Sequence, residues 1–147
     1  MRDDLPLEVT HEVRDRCLCL SLQRAARVVG RLFDEALRPL GLTNGQFSLL
    51  MSLNRPQPPR MGDLVPLLGM DRTTLTANLK PLERRGLVAV AGDPRDRRVR
   101  RLALTDAGRA LLVEALPIWR ATHDALDRRL GEGGPERLRD DLLSLSS

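Results

Sequence analysis

The sequence predicts a mainly α-helical fold that is interrupted once, in its second half, by a two-stranded β-hairpin. Apolar residues recur at spacings of three and four toward both ends of the chain, which is typical of amphipathic helices. A short apolar run, Leu87 to Ala91, is bounded by glycine on both sides, as a strand is. The charged, turn-forming stretch 92–97 then allows residues Arg98 to Leu104 to return antiparallel to that strand.

Length and composition restrict the class of protein. The chain has 147 residues, 41% of them hydrophobic and 30% charged, and such a chain can bury a core without disulfides or a structural metal. It has no apolar run near the roughly 20 residues of a membrane span, and its acidic start lacks the apolar stretch of a secretory signal. We therefore expect a soluble cytoplasmic protein with no membrane partner, in a compartment that keeps its two cysteines reduced.

The first predicted helix runs continuously from about Glu8 to Leu37 and ends at Pro39 and Gly41. Its apolar seam consists of Leu18, Leu22, Ala25, Val29, Leu32 and Ala36. A second helix is expected to start at Thr43, whose hydroxyl can cap it, and to end before the proline-rich stretch 56–59.

A helix-turn-helix is predicted next. A short helix, about Met61 to Leu68, precedes a turn at Gly69, and Asp71 caps a helix that runs to Arg85. The apolar face of this second helix carries Leu75, Leu79 and Leu82. The prolines inside the two helices, Pro66 and Pro81, are expected to kink them.

The hairpin forms a wing beside this motif, and two helices follow it. Thr105 caps a long helix that ends at Gly131 and is expected to bend at Pro117. Its predicted buried stripe consists of Leu112, Ala115, Trp119, Thr122 and Leu126. The last helix, from Pro135 to about Leu145, presents Leu138, Leu142 and Leu145 along one side.

The positive charge is concentrated in the middle of the chain. Between Arg72 and Arg101, nine basic and three acidic residues give a net charge of +6, whereas the rest of the chain carries −2. An α-helix fits the major groove of DNA, and an arginine-bearing loop beside it suits the minor groove. The candidate groove contacts are Arg72, Thr73, Thr74, Ala77 and Lys80 on the helix and Arg95, Arg97 and Arg98 in the wing. The alternatives are a solvated surface hairpin and a winged helix that docks only protein.

Several sequence motifs resemble those of the MarR family of bacterial transcription regulators. They are LVPLLGMDRTTL at 64–75, LERRGLV at 82–88, and above all DPRDRR at 93–98 followed by LTDAG at 104–108. The resemblance implies an obligate homodimer that binds a pseudo-palindromic operator, usually as a repressor, and holds aromatic or phenolic effectors between its dimer helices and its DNA-binding lobe. It also implies that Arg95 contacts the minor groove while Asp93 and Asp96 orient arginines. Pro66 and Pro81 depart from the family pattern.

We interpret the whole chain, 1–147, as one domain of this type. About 39–104 form the DNA-binding lobe, and about 1–38 and 105–147 are dimerisation helices. The apolar stripes at both ends support the dimer independently, because a monomer rarely leaves such a surface in water. The alternative is that these stripes pack on one another within one chain. We expect a repressor of neighbouring genes that an organic effector releases by shifting the dimer to a conformation unable to bind DNA.

The effector site is the least specified part of the sequence. Candidate residues are His11, Arg24, Phe47, Met51 and Trp119, each of which also suits ordinary core or surface. Catalysis has little support, since there is no glycine-rich phosphate loop and no metal-ligand cluster. We therefore expect no enzymatic activity, metal or cofactor.

Cys17 and Cys19 offer a redox alternative to an effector. On a continuous helix, side chains two residues apart point about 200° apart, which argues against an intrachain disulfide. A redox switch would then need a partner subunit or one reactive thiol. Burial as small apolar side chains is the simpler interpretation.

Overall fold

The computed structural model describes residues 3–146, and within this range it contains seven α-helices and one two-stranded sheet. None of these helices is both long and apolar enough to cross a membrane. The chain divides into two compact units, residues 1–32 and 33–147. The elements are α1 Leu7–Arg16, α2 Leu18–Leu37, α3 Asn44–Ser52, α4 Met61–Leu68, α5 Arg72–Arg84, β1 Val88–Gly92, β2 Arg100–Leu104, α6 Asp106–Leu130 and α7 Gly134–Leu145, with a 3₁₀ turn at Arg38–Leu40.

The first unit corrects the prediction of one continuous helix over Glu8 to Leu37. The helix breaks at Cys17, whose ψ of 105° is extended rather than helical. The backbone N–H of Leu20 donates to the Cys17 thiol at 3.4 Å, so the sulfur takes the position of a capping acceptor for α2. A thiol is a weak acceptor, and neither proline nor glycine marks this boundary, which is why the sequence pattern did not reveal it.

This break also changes the interpretation of the two cysteines. The angle of about 200° between the two side chains applies only to a continuous helix, and the backbone of Cys17 is extended. Both thiols are free, and Cys19 is exposed while Cys17 is half-buried. The interpretation of both as buried core side chains is therefore wrong for Cys19.

The hydrophobic core lies in the second unit. It is built mainly from leucines of every helix from the end of α2 to α6 and from both strands. Its fully buried members are Leu37, Leu49, Leu50, Leu64, Leu75, Leu82 and Leu102. On α6 only part of the predicted stripe is buried, namely Leu112 and Ala115, while Trp119, Thr122 and Leu126 are half-buried.

Local hydrogen bonds begin the helices of this unit where the sequence predicts them. The Thr43 hydroxyl accepts from the backbone N–H of Gln46, whose side chain accepts from the N–H of Thr43 in return, which is a complete capping box. Asp71 caps α5 and Thr105 caps α6. The helices α4, α5 and α6 each continue past their internal proline without interruption.

The two strands pair antiparallel from Val88 opposite Leu104 to Gly92 opposite Arg100. One feature of the sheet was not predicted. Arg60, just before α4, forms an isolated bridge with Arg101, and the N–H of Leu102 donates to the carbonyl of Pro59 at 3.1 Å. The start of α4 is therefore joined directly to the wing, which comprises residues 88–104.

Candidate nucleic-acid interface

The helix α5 presents two chemically different faces. Leu75, Leu79 and Leu82 are buried in the core. Each of the candidate groove residues on this helix is exposed, that is Arg72, Thr73, Thr74, Ala77 and Lys80. The exposed side chains are short, polar or basic, a combination that suits contact with base edges and phosphates.

Asp71 stabilises the start of α5. Its Oδ1 accepts a hydrogen bond from the backbone N–H of Thr74 at 2.7 Å. This bond, with a second from the Thr74 side chain, holds the pKa of the Asp71 carboxyl below its ordinary value. The charged carboxylate also interacts favourably with the positive end of the helix dipole.

Two side chains, Asn78 on α5 and Arg85 just after it, contact the segment from Leu40 to Gly45. Asn78 donates to the carbonyl of Thr74 and lies against Gly45, where a β-carbon would come within 2.9 Å of its amide oxygen. Glycine at position 45 thus permits the close approach of α3 and α5. At the far end, Arg85 donates to the carbonyl oxygens of Gly41 at 2.8 Å and Leu40 at 3.1 Å. The role of Arg85 was not predicted from the sequence, because its acceptors are backbone atoms, which carry no sequence signal.

The base of the wing is organised around Asp93, the one polar residue in the buried set of the described chain. Its Oδ1 accepts from the backbone N–H of Arg95 at 2.7 Å, and its Oδ2 pairs with Arg101. These two interactions, in that order, lower the pKa of the Asp93 carboxyl. Arg101 also donates to the carbonyl of Pro58 at 2.8 Å, so one guanidinium links the wing to the segment before α4.

The tip of the wing carries exposed arginines. Asp96 accepts from the backbone N–H and from Nε of Arg98, at 3.1 and 3.2 Å. The candidate contacts Arg95, Arg97 and Arg98 are all exposed. The wing arginines thus lie on a loop whose backbone is held by two aspartates, because Asp93 and Asp96 accept hydrogen bonds from backbone N–H groups of this loop.

The effector candidates fall into two groups. Phe47 and Trp119 stack with their ring centroids 6.1 Å apart and an interplanar angle of 17°, and His123 joins Trp119 at 4.9 Å. Phe47 is buried, so it fills the core at this point, and Met51 is half-buried. His11 and Arg24 lie in the first unit, on α1 and α2, where both are exposed. His123 was not among the predicted residues, although it joins this aromatic cluster.

Metal binding has no support among the described residues 3–146. No group of three or more His, Cys, Asp or Glu residues in this range could hold an ion.

Comparison with known proteins places this geometry in a family. Residues 42–99, which run from α3 to the tip of the wing, match the MarR family. The transcriptional repressor NicR of Pseudomonas putida is 30% identical over 118 residues, which cover 80% of this chain and 72% of NicR. The chain belongs to the MarR family. It is therefore a DNA-binding transcriptional regulator, and the family consists of regulators rather than enzymes.

Three further relatives extend the likeness. The transcriptional activatory protein BadR of Rhodopseudomonas palustris is 36% identical over 95 residues, which cover 63% of this chain and only 54% of BadR. The regulator MosR of Mycobacterium tuberculosis, solved in complex with DNA, is 40% identical with a TM-score of 0.80, covering 89% of this chain and 94% of MosR. Bordetella bronchiseptica BpsR is 26% identical with a TM-score of 0.81 and coverages of 90% and 94%. Its structure concerns the regulation of DNA binding by 6-hydroxynicotinic acid.

Proposed function

We propose that this MarR-family protein is a cytoplasmic homodimer that represses neighbouring genes by binding a pseudo-palindromic operator, and that a small aromatic or phenolic effector releases it. The observation that carries the proposal is the juxtaposition of the exposed polar face of α5 with an arginine-bearing wing. The wing is tied to the lobe by Asp93 and Arg101. Family membership favours this DNA-binding role over the alternative of a winged helix that docks only protein.

The proposed residue roles follow from the two surfaces. Arg72, Thr73, Thr74, Ala77 and Lys80 enter the major groove, where side chains at the start of a helix reach base edges. Arg95, Arg97 and Arg98 approach the adjacent minor groove, whose negative potential attracts guanidinium groups. Asp93 and Asp96 act indirectly, by holding the backbone that carries these arginines.

The homodimer is supported by apolar side chains that one chain leaves uncovered. On α2, Leu18 is 65% exposed and Leu22 is 37% exposed, and α7 leaves Leu142 and Leu145 exposed. Residues of this size at helical spacing are normally covered by a partner. A second copy is the occupant we propose, because a twofold dimer also offers two recognition helices to successive major grooves about 10 bp apart.

Regulation by an aromatic compound is supported by the relative BpsR, whose DNA binding is regulated by 6-hydroxynicotinic acid. NicR is named a repressor and BadR an activatory protein, so relatives act in both directions. We propose repression here, with an effector that binds better to a dimer whose recognition helices are wrongly spaced for DNA. Phe47, Met51 and Trp119 are the proposed effector contacts within the second unit, and His11 and Arg24 are separate candidates on the first.

The proposed DNA binding is tested by salt dependence. A duplex is first selected from a randomised library by the wild-type protein. A dimer that neutralises about 6 to 10 phosphates should lose on the order of 10³ to 10⁵ in affinity between roughly 50 and 200 mM salt. Arg95→Ala should weaken binding to the selected duplex, whereas Arg120→Gln, an exposed charge on α6, should not. Unchanged affinity in Arg95→Ala would remove the wing assignment.

A redox switch at Cys17 and Cys19 is the second candidate, and the helix break favours it. Cys17 lies at the break between α1 and α2, its thiol accepts from Leu20, and Cys19 is exposed two residues later. Oxidation of Cys17 would therefore alter the cap of a helix that we assign to the dimer. If peroxide releases DNA from the wild type but not from the Cys17→Ser/Cys19→Ser double variant, the redox-switch hypothesis is supported. If both proteins respond alike, it fails.

A further inference from the structure

An open cleft of about 360 Å³ lies where the start of α4, the first residue of α5 and the second half of the wing come together. Four arginines from three different elements line it. Arg60 precedes α4, Arg72 begins α5, and Arg98 and Arg100 belong to the second half of the wing. Of these four, Arg60 and Arg100 have no role in the groove contacts described above.

The cleft has a strong positive charge. Its one acidic residue is Asp63, so the residues that line it carry a net charge of +3. Asp63 is itself engaged by Arg60, through the backbone N–H at 3.2 Å and through Nε at 3.6 Å. The Asp63 carboxylate therefore orients the Arg60 guanidinium, and Asp96 pairs with Arg98 in the same way. Arg72 and Arg100 complete the positive lining that faces an incoming anion.

A second groove continues this positive surface toward the wing tip. It is lined by Gly92, Asp93, Pro94, Arg97 and Arg100. Arg100 lines both depressions, so this arginine connects the cleft near Arg72 to the groove near Arg97 in the tip.

The position of this positive surface matches the arrangement of a DNA duplex. When α5 lies in the major groove and the wing in the adjacent minor groove, the sugar-phosphate backbone that divides the two grooves must pass between them. The depression between α5 and the wing is the cleft. Phosphodiester oxygens are the anions there, and guanidinium groups bind them with charge-assisted, often bidentate hydrogen bonds.

We propose that this cleft binds the backbone phosphates that separate the two grooves, with Arg60 and Arg100 as its phosphate-binding residues. The proposal rests on the proposed groove assignment of α5 and the wing. Because phosphate contacts carry no sequence information, the cleft sets the register of the lobe on the duplex and adds affinity that is independent of sequence.

The experiment compares the wild type with Arg60→Gln and Arg100→Gln on two duplexes, the selected one and a mixed-sequence duplex of equal length. Loss of one phosphate contact lowers the slope of log affinity against log salt by about 0.9 per affected site. A homodimer carries each substitution at two sites, so the slope should fall by about 1.8, and the loss of affinity near 0.1 M salt should be about 60-fold larger than at 1 M salt. We expect the same fractional loss on both duplexes. Arg60→Lys, which keeps the charge, should restore the slope, and Arg120→Gln should leave it at the wild-type value.

Neutral methylphosphonates, introduced one at a time into the selected duplex, locate the contact. The substitution that weakens wild-type binding most should lie on the strand between the two occupied grooves. The same substitution should have little further effect on Arg60→Gln. Two results would overturn the cleft assignment even if the wild type binds DNA. One is a salt slope that is unchanged in both glutamine variants. The other is a variant that no longer distinguishes the two duplexes while its salt slope stays constant. Absence of salt-dependent binding by the wild type would instead overturn the proposed function itself.

Discussion

Arg85 donates a hydrogen bond from its guanidinium to the carbonyl oxygen of Gly41, 44 residues earlier in the chain. A second bond reaches Leu40, so one side chain binds the turn at the end of α2 to the end of the recognition helix. Gly41 can offer its carbonyl here because it adopts a φ of 67°, which glycine reaches without strain.

Replacing Arg85 should loosen this connection. Arg85→Gln should lower the free energy of unfolding by about 1 kcal/mol, since a net hydrogen bond is worth about that much at an exposed site. Arg85→Lys presents one compact charge instead of the forked guanidinium, so its free energy of unfolding should lie between those of the wild type and Arg85→Gln. The neighbouring Arg84→Gln removes the same charge and should change stability by less than about 0.5 kcal/mol. Urea denaturation of all four proteins measures the differences, and equal values for positions 84 and 85 would contradict this role.

Asp93→Asn should make the stability of the protein less sensitive to acid. The pKa of Asp93 in the folded protein is lowered by the N–H of Arg95 and by Arg101, below the ordinary value of 3.8. Its contribution to stability is thus fully present above the ordinary pKa and is lost as the pH falls through the lowered one. The wild type should be more stable than Asp93→Asn above about pH 5, and the difference should shrink below pH 3.8.

The measurement is the free energy of unfolding of both proteins from pH 7 to pH 2.5. Asp140→Asn, which removes a carboxylate from an exposed position on α7, is the control for net charge. A difference between the wild type and Asp93→Asn that stays constant throughout this range would contradict the assignment.

Gly108 is required by a close packing contact. A β-carbon at this position of α6 would lie 2.2 Å from the carbonyl oxygen of Leu87, so α6 or the segment just before the wing would have to move. Gly108→Ala should destabilise the protein by about 1 to 3 kcal/mol, which is typical of overpacking. Gly62, also in the first turn of a helix, has open space around it, and Gly62→Ala should stabilise by about 0.4 to 1 kcal/mol. Thermal unfolding compares the two variants, and the same sign for both would be inconsistent with this contact.

The proposed dimer depends on the exposed leucines of α2. Leu18→Glu places a charge in the apolar seam and should shift the protein from dimer to monomer in sedimentation velocity at micromolar concentration. Gln23→Glu introduces the same charge at an exposed polar position of the helix and should remain dimeric. A wild-type protein that sediments as a monomer would rule out the dimer, and with it the spacing of two recognition helices.

The extent of the predictable structure differs between the two units. In the second unit, the caps at Thr43, Asp71 and Thr105 are confirmed at their predicted positions, and α4 begins and ends where the pattern indicates. In the first unit, the break at Cys17 escaped prediction, because neither proline nor glycine marks it and the capping acceptor is a thiol. A weak sulfur acceptor leaves no recognisable signature in the sequence.

By itself, the sequence determined the features that depend on near neighbours. Helix caps join residues three apart, as Asp71 and Thr74 do. In the wing motif, Asp93 accepts a hydrogen bond from the backbone N–H of Arg95, two residues later. Only the tertiary structure decided which distant groups meet. Arg101 reaches the carbonyl of Pro58, 43 residues away, and Arg60 comes to line a cleft with Arg100. These partners are backbone atoms or like-charged side chains, whose proximity follows from how the core packs and not from any local pattern of residues.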